Sequence, residues 1–175
     1  QARACVEGSL GSMSSPIACC WFRNDLRVHD NPCLTRAAEL VRSKKCSSVL
    51  PVYFFDPRQF GATAFGGVKT GPFRAQFLLE SVLDLKQQLR RLDSDLLIVI
   101  GRPEDHLPQL LPNGSVILTQ EEVTSEELAV DRAVQAACAP GAKLELIWGS
   151  TLYHRDDLPM KVRHLDDVFT PLRNK

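Results

Sequence analysis

Five ionisable side chains, Arg23, Asp25, Arg27, His29 and Asp30, crowd into one short stretch directly after the apolar run 17–20. An apolar run that breaks into such a loop and meets Asn31-Pro32 reads as a strand, a turn and a helix start. Ligands of open parallel sheets bind outside the carboxyl ends of the strands, so chemistry is expected at this loop. A Gly-x-Gly-x-x-Gly turn would let the backbone approach a pyrophosphate. This loop has no glycine, which argues against an ordinary dinucleotide site. The alternating signs of Arg23, Asp25, Arg27 and Asp30 suit a local ion-pair network that fixes the loop. Other chemistries find little support. His29, His106, His154 and His164 are isolated, and Ser150 lacks a Gly-x-Ser-x-Gly elbow. The stretch Gly66-Gly67-Val68-Lys69-Thr70 lacks the earlier glycine of a phosphate loop and follows no strand directly.

The bulk composition narrows the class. A chain of 175 residues with 44% hydrophobic and 24% charged content is globular and sized for one core. With 21 basic and 21 acidic residues the net charge is zero. A surface that gripped nucleic acid by phosphate neutralisation would be basic, so this chain alone is a poor DNA binder. The cysteines (5, 19, 20, 33, 46 and 138) form no Cys-x-x-Cys pair, and no Cys/His spacing fits zinc. Free thiols in a reducing intracellular compartment are expected, with the organelle left open. No apolar run approaches the roughly 20 residues of a membrane span, and residues 1–12 lack the apolar core of a secretory signal. The chain opens on Gln1 and stops at Lys175 without a closing element. A fragment is therefore expected, with 1–14 a disordered or upstream extension and Met13 a plausible start.

Those residues must be positioned by elements, and the pattern supplies them. Runs at 17–21, 49–55, 95–100, 116–119 and 144–148 read as strands, several apolar at nearly every position, as in strands covered on both faces. Helices alternate with them. One over 32–43 is capped by Asn31 and has Leu34, Ala37, Ala38 and Val41 inward. One over 72–92 has Phe73, Phe77, Val82, Leu85, Leu89 and Leu92 inward, with Glu80 and Asp84 facing Lys86, Arg90 and Arg91. A short helix covers 104–111. The last starts after Thr124 in a capping box with Glu127 and ends at Ala139-Pro140-Gly141. Alternating strands and helices imply a five-stranded, parallel, doubly wound, Rossmann-like α/β sheet. The segment 58–71 is long for a connection, which suits a lid or a docking surface. After Trp148 the chain reads as a linker, so the domain is placed at 15–149 and the start of an interdomain linker at 150–175.

Several segments together resemble one family. Trp21 to Arg27 with His29 to Pro32 is similar to the opening motif of photolyases and cryptochromes. Val52 to Arg58, Lys69 to Arg74, Leu97 to Gly101 and Glu121 to Glu127 follow in the family's order, as does Trp148 to His154 with Asp156 to Pro159. The Thr70-Gly71-Pro72 and Glu121-Glu122-Val123 blocks, with Asp167 to Arg173, resemble the cryptochrome-DASH branch. The resemblance implies the N-terminal α/β antenna domain of a blue-light photoreceptor or cyclobutane pyrimidine dimer photolyase.

The same resemblance implies a larger C-terminal helical domain outside these residues, holding FAD and meeting single-stranded or damaged DNA. It implies no membrane partner, and a chain that is catalytically inert by itself. It further implies a methenyltetrahydrofolate antenna. A pterin edge presents an amino group and a ring N–H side by side, and one carboxylate accepts both. By motif position Glu122 is the favoured acceptor, with Glu121 beside it and Phe22 or Arg23 against the ring. Asp25, Arg27 and Asp30 take structural or interdomain roles. Trp21 and Trp148, at strand ends, suit core packing or site lining. The competing reading is a non-enzymatic binding or regulatory module derived from a truncated cryptochrome.

Overall fold

Strand β1 (Ala18–Phe22) is buried at every position, as a central strand with both faces covered must be. The structure, a computed structural model, describes residues 15–149, 151, 153–158, 160–165 and 168–173. The expected extension 1–14, with Met13, lies outside the described residues. Around β1 stand β2 (Val49–Phe55), β3 (Leu97–Ile100), β4 (Ser115–Gln120) and β5 (Ala142–Ile147). All pairs are parallel, in the order β3-β2-β1-β4-β5. The chain winds outward from β1 in both directions, as the alternating pattern predicts. The turning point lies between β1 and β4.

Period-two alternation splits β1 between two cores. Ala18, Cys20 and Phe22 pack with α1 (Pro32–Arg42) and α2 (Pro72–Arg90). Cys19 and Trp21 pack with α3 (Pro103–Leu110) and α4 (Ser125–Cys138). The five described cysteines are buried free thiols. Burial pushes the Cys19 and Cys20 thiols far up, as removing a thiolate from water must.

The helices differ from expectation where length and rotation decide. Asn31 caps α1, accepting from Leu34 N at 3.1 Å. Its buried face is Cys33, Ala37 and Leu40, with Leu34 and Val41 only partly buried. The helix is rotated so that Cys33 sits over β1, where Cys20 Sγ donates to its carbonyl. In α2 only Val82, Leu85 and Leu89 are buried, while Phe73, Phe77 and Leu92 are exposed. A helix of 19 residues runs about 28 Å at 1.5 Å per residue. The neighbouring β2 has 7 residues and covers about 23 Å. The first turns of α2 thus overhang the sheet's carboxyl edge, and Leu92 lies past the helix end. Lys86 and Arg90 pair with Asp95 rather than with Glu80 or Asp84, which bond Gln76 and Gln88. At α4 the N-cap is Thr124, but no side-chain capping bond forms. Glu127 turns inward instead, and its Oε2 is buried with no hydrogen-bond partner among the described residues.

The segment after β2 is ordered. A 3₁₀ turn (Pro57–Gln59) leads into a small flap closed by an Ala62–Val68 antiparallel bridge. Gly66, at φ 83°, makes its tip, where a side chain would be strained. Lys69 Nζ fastens the flap to Glu126 of α4 at 2.7 Å. Past β5 come 3₁₀ turns at Arg155–Asp157 and Val162–His164 and a short helix α5 (Phe169–Arg173). Among the described residues no helix is long and apolar enough to cross a membrane.

Candidate functional site at the sheet switch point

The carboxyl ends of β1 and β4 diverge at the turning point of the sheet, where the fold leaves a crevice. Three consecutive residues of the β1–α1 loop reach across it. Arg23 Nη1 donates to Asp131 Oδ1 of α4 at 2.7 Å, and Asn24 Nδ2 donates to Glu122 Oε1 at 2.6 Å. Asp25 Oδ2 accepts from Gln120 Nε2 at 2.8 Å. The charged loop after β1 is thus anchored chiefly to the exit of β4.

The expected local network is smaller than its alternating signs suggest. Asp25 and Arg27 do pair, at 3.0 Å. Arg23 leaves them for Asp131 and lies over the Trp21 ring, 4.8 Å from its centroid. Asp30 is exposed at φ 52° and forms no ion pair among the described residues. Its left-handed backbone turns the chain into Asn31, a geometry tolerated by aspartate.

The two glutamates after β4 have different surroundings. Glu121 accepts from Arg155 at 2.8 Å, and that guanidinium stacks on Trp148 with Cζ 5.0 Å from the ring centroid. Glu122 meets Asn24 through Oε1 and pairs with no cation among the described residues. Its Oε2 makes no hydrogen bond among them. A free carboxylate oxygen beside a fixed one fits the donor pair of an aminopyrimidine edge. Phe22 is buried and belongs to the α1–α2 core.

Beside the crevice, at the carboxyl edge of the sheet, lies a cleft of about 340 Å³ lined by Trp21, Phe22, Arg23, Tyr53, Arg58 and Glu127 among others. Glu121 and Glu122 do not line it, so the candidate pterin acceptors and the aromatic residues occupy neighbouring places. Asp56 and Glu104 share the Arg58 guanidinium in one wall. Burial tends to raise the Asp56 carboxyl, but the Arg58 hydrogen bonds and charge win and hold it low. Burial pushes the Tyr53 hydroxyl up to about 12. Asp131, beneath Arg23, is raised: burial outweighs the Arg23 charge and hydrogen bond, and Glu122 and Glu127 add repulsion. Its Oδ2 has no hydrogen-bond partner among the described residues. Among the described residues no group of histidine, cysteine, aspartate and glutamate could hold a metal.

Sequence reasoning gives no role to Asn24, Asp131 or Arg58, and weighs Lys69 only as a phosphate-loop residue. Asn24 stands inside the motif among charged neighbours, and a neutral amide gives no signal of its own in the sequence. Arg58 directly follows the predicted second strand. Asp131 gives no signal, because its role depends on a partner 108 positions away.

A doubly wound α/β domain whose polar residues gather at the switch point is a ligand-binding class of domain. The DNA photolyase family model matches residues 18–175, and the chain belongs to that family. A cryptochrome DASH of Gloeobacter violaceus is 48% identical over 93% of this chain and 32% of its own length. A blue-light photoreceptor of Arabidopsis thaliana is 41% identical over 97% of the chain and 38% of its own length. Among solved structures, a Synechocystis cryptochrome superposes with a TM-score of 0.83 at 40% identity, over 91% of this chain and 32% of that one. A Sulfolobus tokodaii photolyase, a crystal structure with two FAD molecules, shares the fold with a TM-score of 0.68 at 23% identity, over 89% and 33%. The chain therefore spans about a third of the length of the relatives it matches. Family and fold agree with the resemblance read from the motifs, and the DASH relatives agree with the branch.

Proposed function

We propose that residues 15–149 form the light-harvesting antenna domain of a cryptochrome-DASH-like blue-light photoreceptor or FAD-dependent photolyase, with 150–175 opening the interdomain linker. The observation that carries this reading is the Glu122 carboxylate, unpaired by any cation among the described residues and held at the switch point beside the β1–α1 loop. Methenyltetrahydrofolate is the chromophore proposed. Glu122 accepts the amino and ring N–H donors of its pterin edge, and Glu121, Phe22 and Arg23 shape the surroundings. When bound, the folate would supply blue-light absorption; the chain's own residues orient it and limit its exposure to water.

FAD and single-stranded or damaged DNA belong, in this reading, to the helical domain of a longer protein. Asp25, Arg27 and Asp30 then serve the loop or the face toward that domain. Alone, the chain is catalytically inert. The decisive experiment is an absorption spectrum of the purified chain with added methenyltetrahydrofolate and with added FAD. A retained folate band without retained flavin, lost in Glu122→Ala and weakened in Glu121→Ala, is expected. A retained band indifferent to both substitutions sinks the assignment of the site.

A second reading, a non-enzymatic binding or regulatory module, draws on Phe65, Phe73 and Phe77, which are 99%, 87% and 71% exposed. Aromatic side chains in water on one protein favour association. Chromophore-independent dimerisation, lost in Phe73→Ser/Phe77→Ser, would favour it over the antenna.

A further inference from the structure

Asn24 carries the inference that goes furthest. Its side chain is exposed, yet it makes a 2.6 Å hydrogen bond to Glu122 across 98 positions of sequence. The bond has one sense: a carboxylate has no proton to give, so the amide nitrogen donates. Both neighbours of Asn24 are tied down as well, Arg23 to Asp131 at 2.7 Å and Asp25 to Gln120 at 2.8 Å. The amide is thus presented from a backbone pinned on either side. It also lines a groove of about 840 Å³ with Arg23, Tyr53, Lys69, Arg74 and Phe77.

We propose that Asn24 is a positioning residue, whose amide takes one lone pair of Glu122 Oε1, fixes the plane of the carboxylate, and leaves Oε2 together with the second lone pair of Oε1 to accept from a ligand with two adjacent N–H donors. This deepens the antenna proposal and rests on its assignment of Glu122. A carboxylate on a partly exposed side chain turns freely, and a two-pronged bond needs its plane aligned with the ligand ring. Holding one oxygen beforehand removes that freedom before binding. A neutral donor does so without quenching the negative charge that makes the ligand's bonds strong. Arg155 does quench it at Glu121, and that contrast separates the two glutamates.

The test titrates the chain with methenyltetrahydrofolate, alongside Asn24→Ala, Asn24→Asp and Glu122→Gln, with thermal unfolding as the folding control. Asn24→Ala should weaken binding about tenfold, as expected for one charge-assisted hydrogen bond, while the melting temperature holds. Asn24→Asp sets a second carboxylate against Glu122. It should bind poorly at neutral pH and recover as the pH is lowered, because a protonated Asp donates as the amide did. Asn24→Ala should show no such recovery. Loss in Glu122→Gln with wild-type affinity in Asn24→Ala overturns the role of Asn24 and leaves Glu122 standing. Wild-type affinity in Glu122→Gln, or no binding by the unmodified chain, overturns both. Recovery of Asn24→Ala at low pH overturns the positioning role by showing that the pH dependence lies elsewhere.

Discussion

Arg23 and Asp131, 108 positions apart in sequence, meet at 2.7 Å beneath the carboxyl edge of the sheet. The side chains keep only 10% and 5% of their exposure. Removing one partner of so buried a pair strands the other charge, so Arg23→Ala should cost about 3–5 kcal/mol. Arg23→Met/Asp131→Leu, which removes both charges, should cost less than the sum of its single substitutions. Urea unfolding of the four proteins measures the coupling. Additive costs would mean that the pair contributes nothing as a pair.

Asp131 and Asp95 should respond to acid in opposite directions. The folded Asp131 carboxyl is raised by burial, so the unfolded chain releases this proton first as pH rises. Its contribution to stability therefore falls between the ordinary value of 3.8 and the raised folded value, and is regained on acidification. Asp95 is pulled down to about 2, first by the Lys86 hydrogen bond and then by Arg90 and the Leu96 amide. Its contribution is present above 3.8 and lost as pH falls through about 2. Asp95 is 53% exposed, and solvent screening limits the effect to under about 1 kcal/mol. Stability measured against pH should show the unmodified chain gaining on Asp131→Asn, and losing against Asp95→Asn, toward acid. Parallel curves would refute both directions.

The core and the overhanging turns of α2 should separate cleanly. Leu118, fully buried in β4, should lose about 2–5 kcal/mol on truncation to alanine. Phe77→Ser, at a position 71% exposed, should change stability by about 0.5 kcal/mol or less. A loss at Phe77 comparable to that at Leu118 would mean that the first turns of α2 are packed in solution.

Gly101 directly follows β3 at φ 153°, and an added Cβ would run into the His106 ring. Gly101→Ala should cost about 1–3 kcal/mol, read as a lower urea midpoint at unchanged slope. A compensating Gly101→Ala/His106→Ala variant should recover the clash but not the backbone strain. Full recovery would show that the ring alone excludes a side chain.

The architecture is legible because near-continuous apolar runs, the helices that alternate with them and the Asn31 cap are local signals. Boundaries moved little: β5 begins at Ala142 rather than 144, and α3 at Pro103 rather than 104. The inner face of α2 was misjudged because spacing gives the phase of an apolar stripe but not where the sheet beneath it ends. Phe73 and Phe77 are in good phase and have no sheet under them. The site was half legible. Arg23 and Asp25 stand out by charge, and Glu122 by its motif position. Their partners across the crevice could not be read, because Gln120 and Asp131 bond residues 95 and 108 positions distant. Thr124 and Glu127 have the capping-box spacing, yet the inward turn of Glu127 undoes it, and spacing alone does not fix a rotamer.

The three bonds across the switch point also order events in time. Each joins a residue near the start of the domain to one at the end of β4 or beyond it. Closing loops of about a hundred residues is entropically costly and slow relative to local helix formation. A chain emerging from the ribosome through β3 carries only one bank of the crevice. The Asn24–Glu122 edge comes into being when the second half of the sheet docks on the first. Ligand capture at this edge would therefore report that long-range docking step, and a chromophore bound there would favour the domain with both banks in place over any precursor that has only the first.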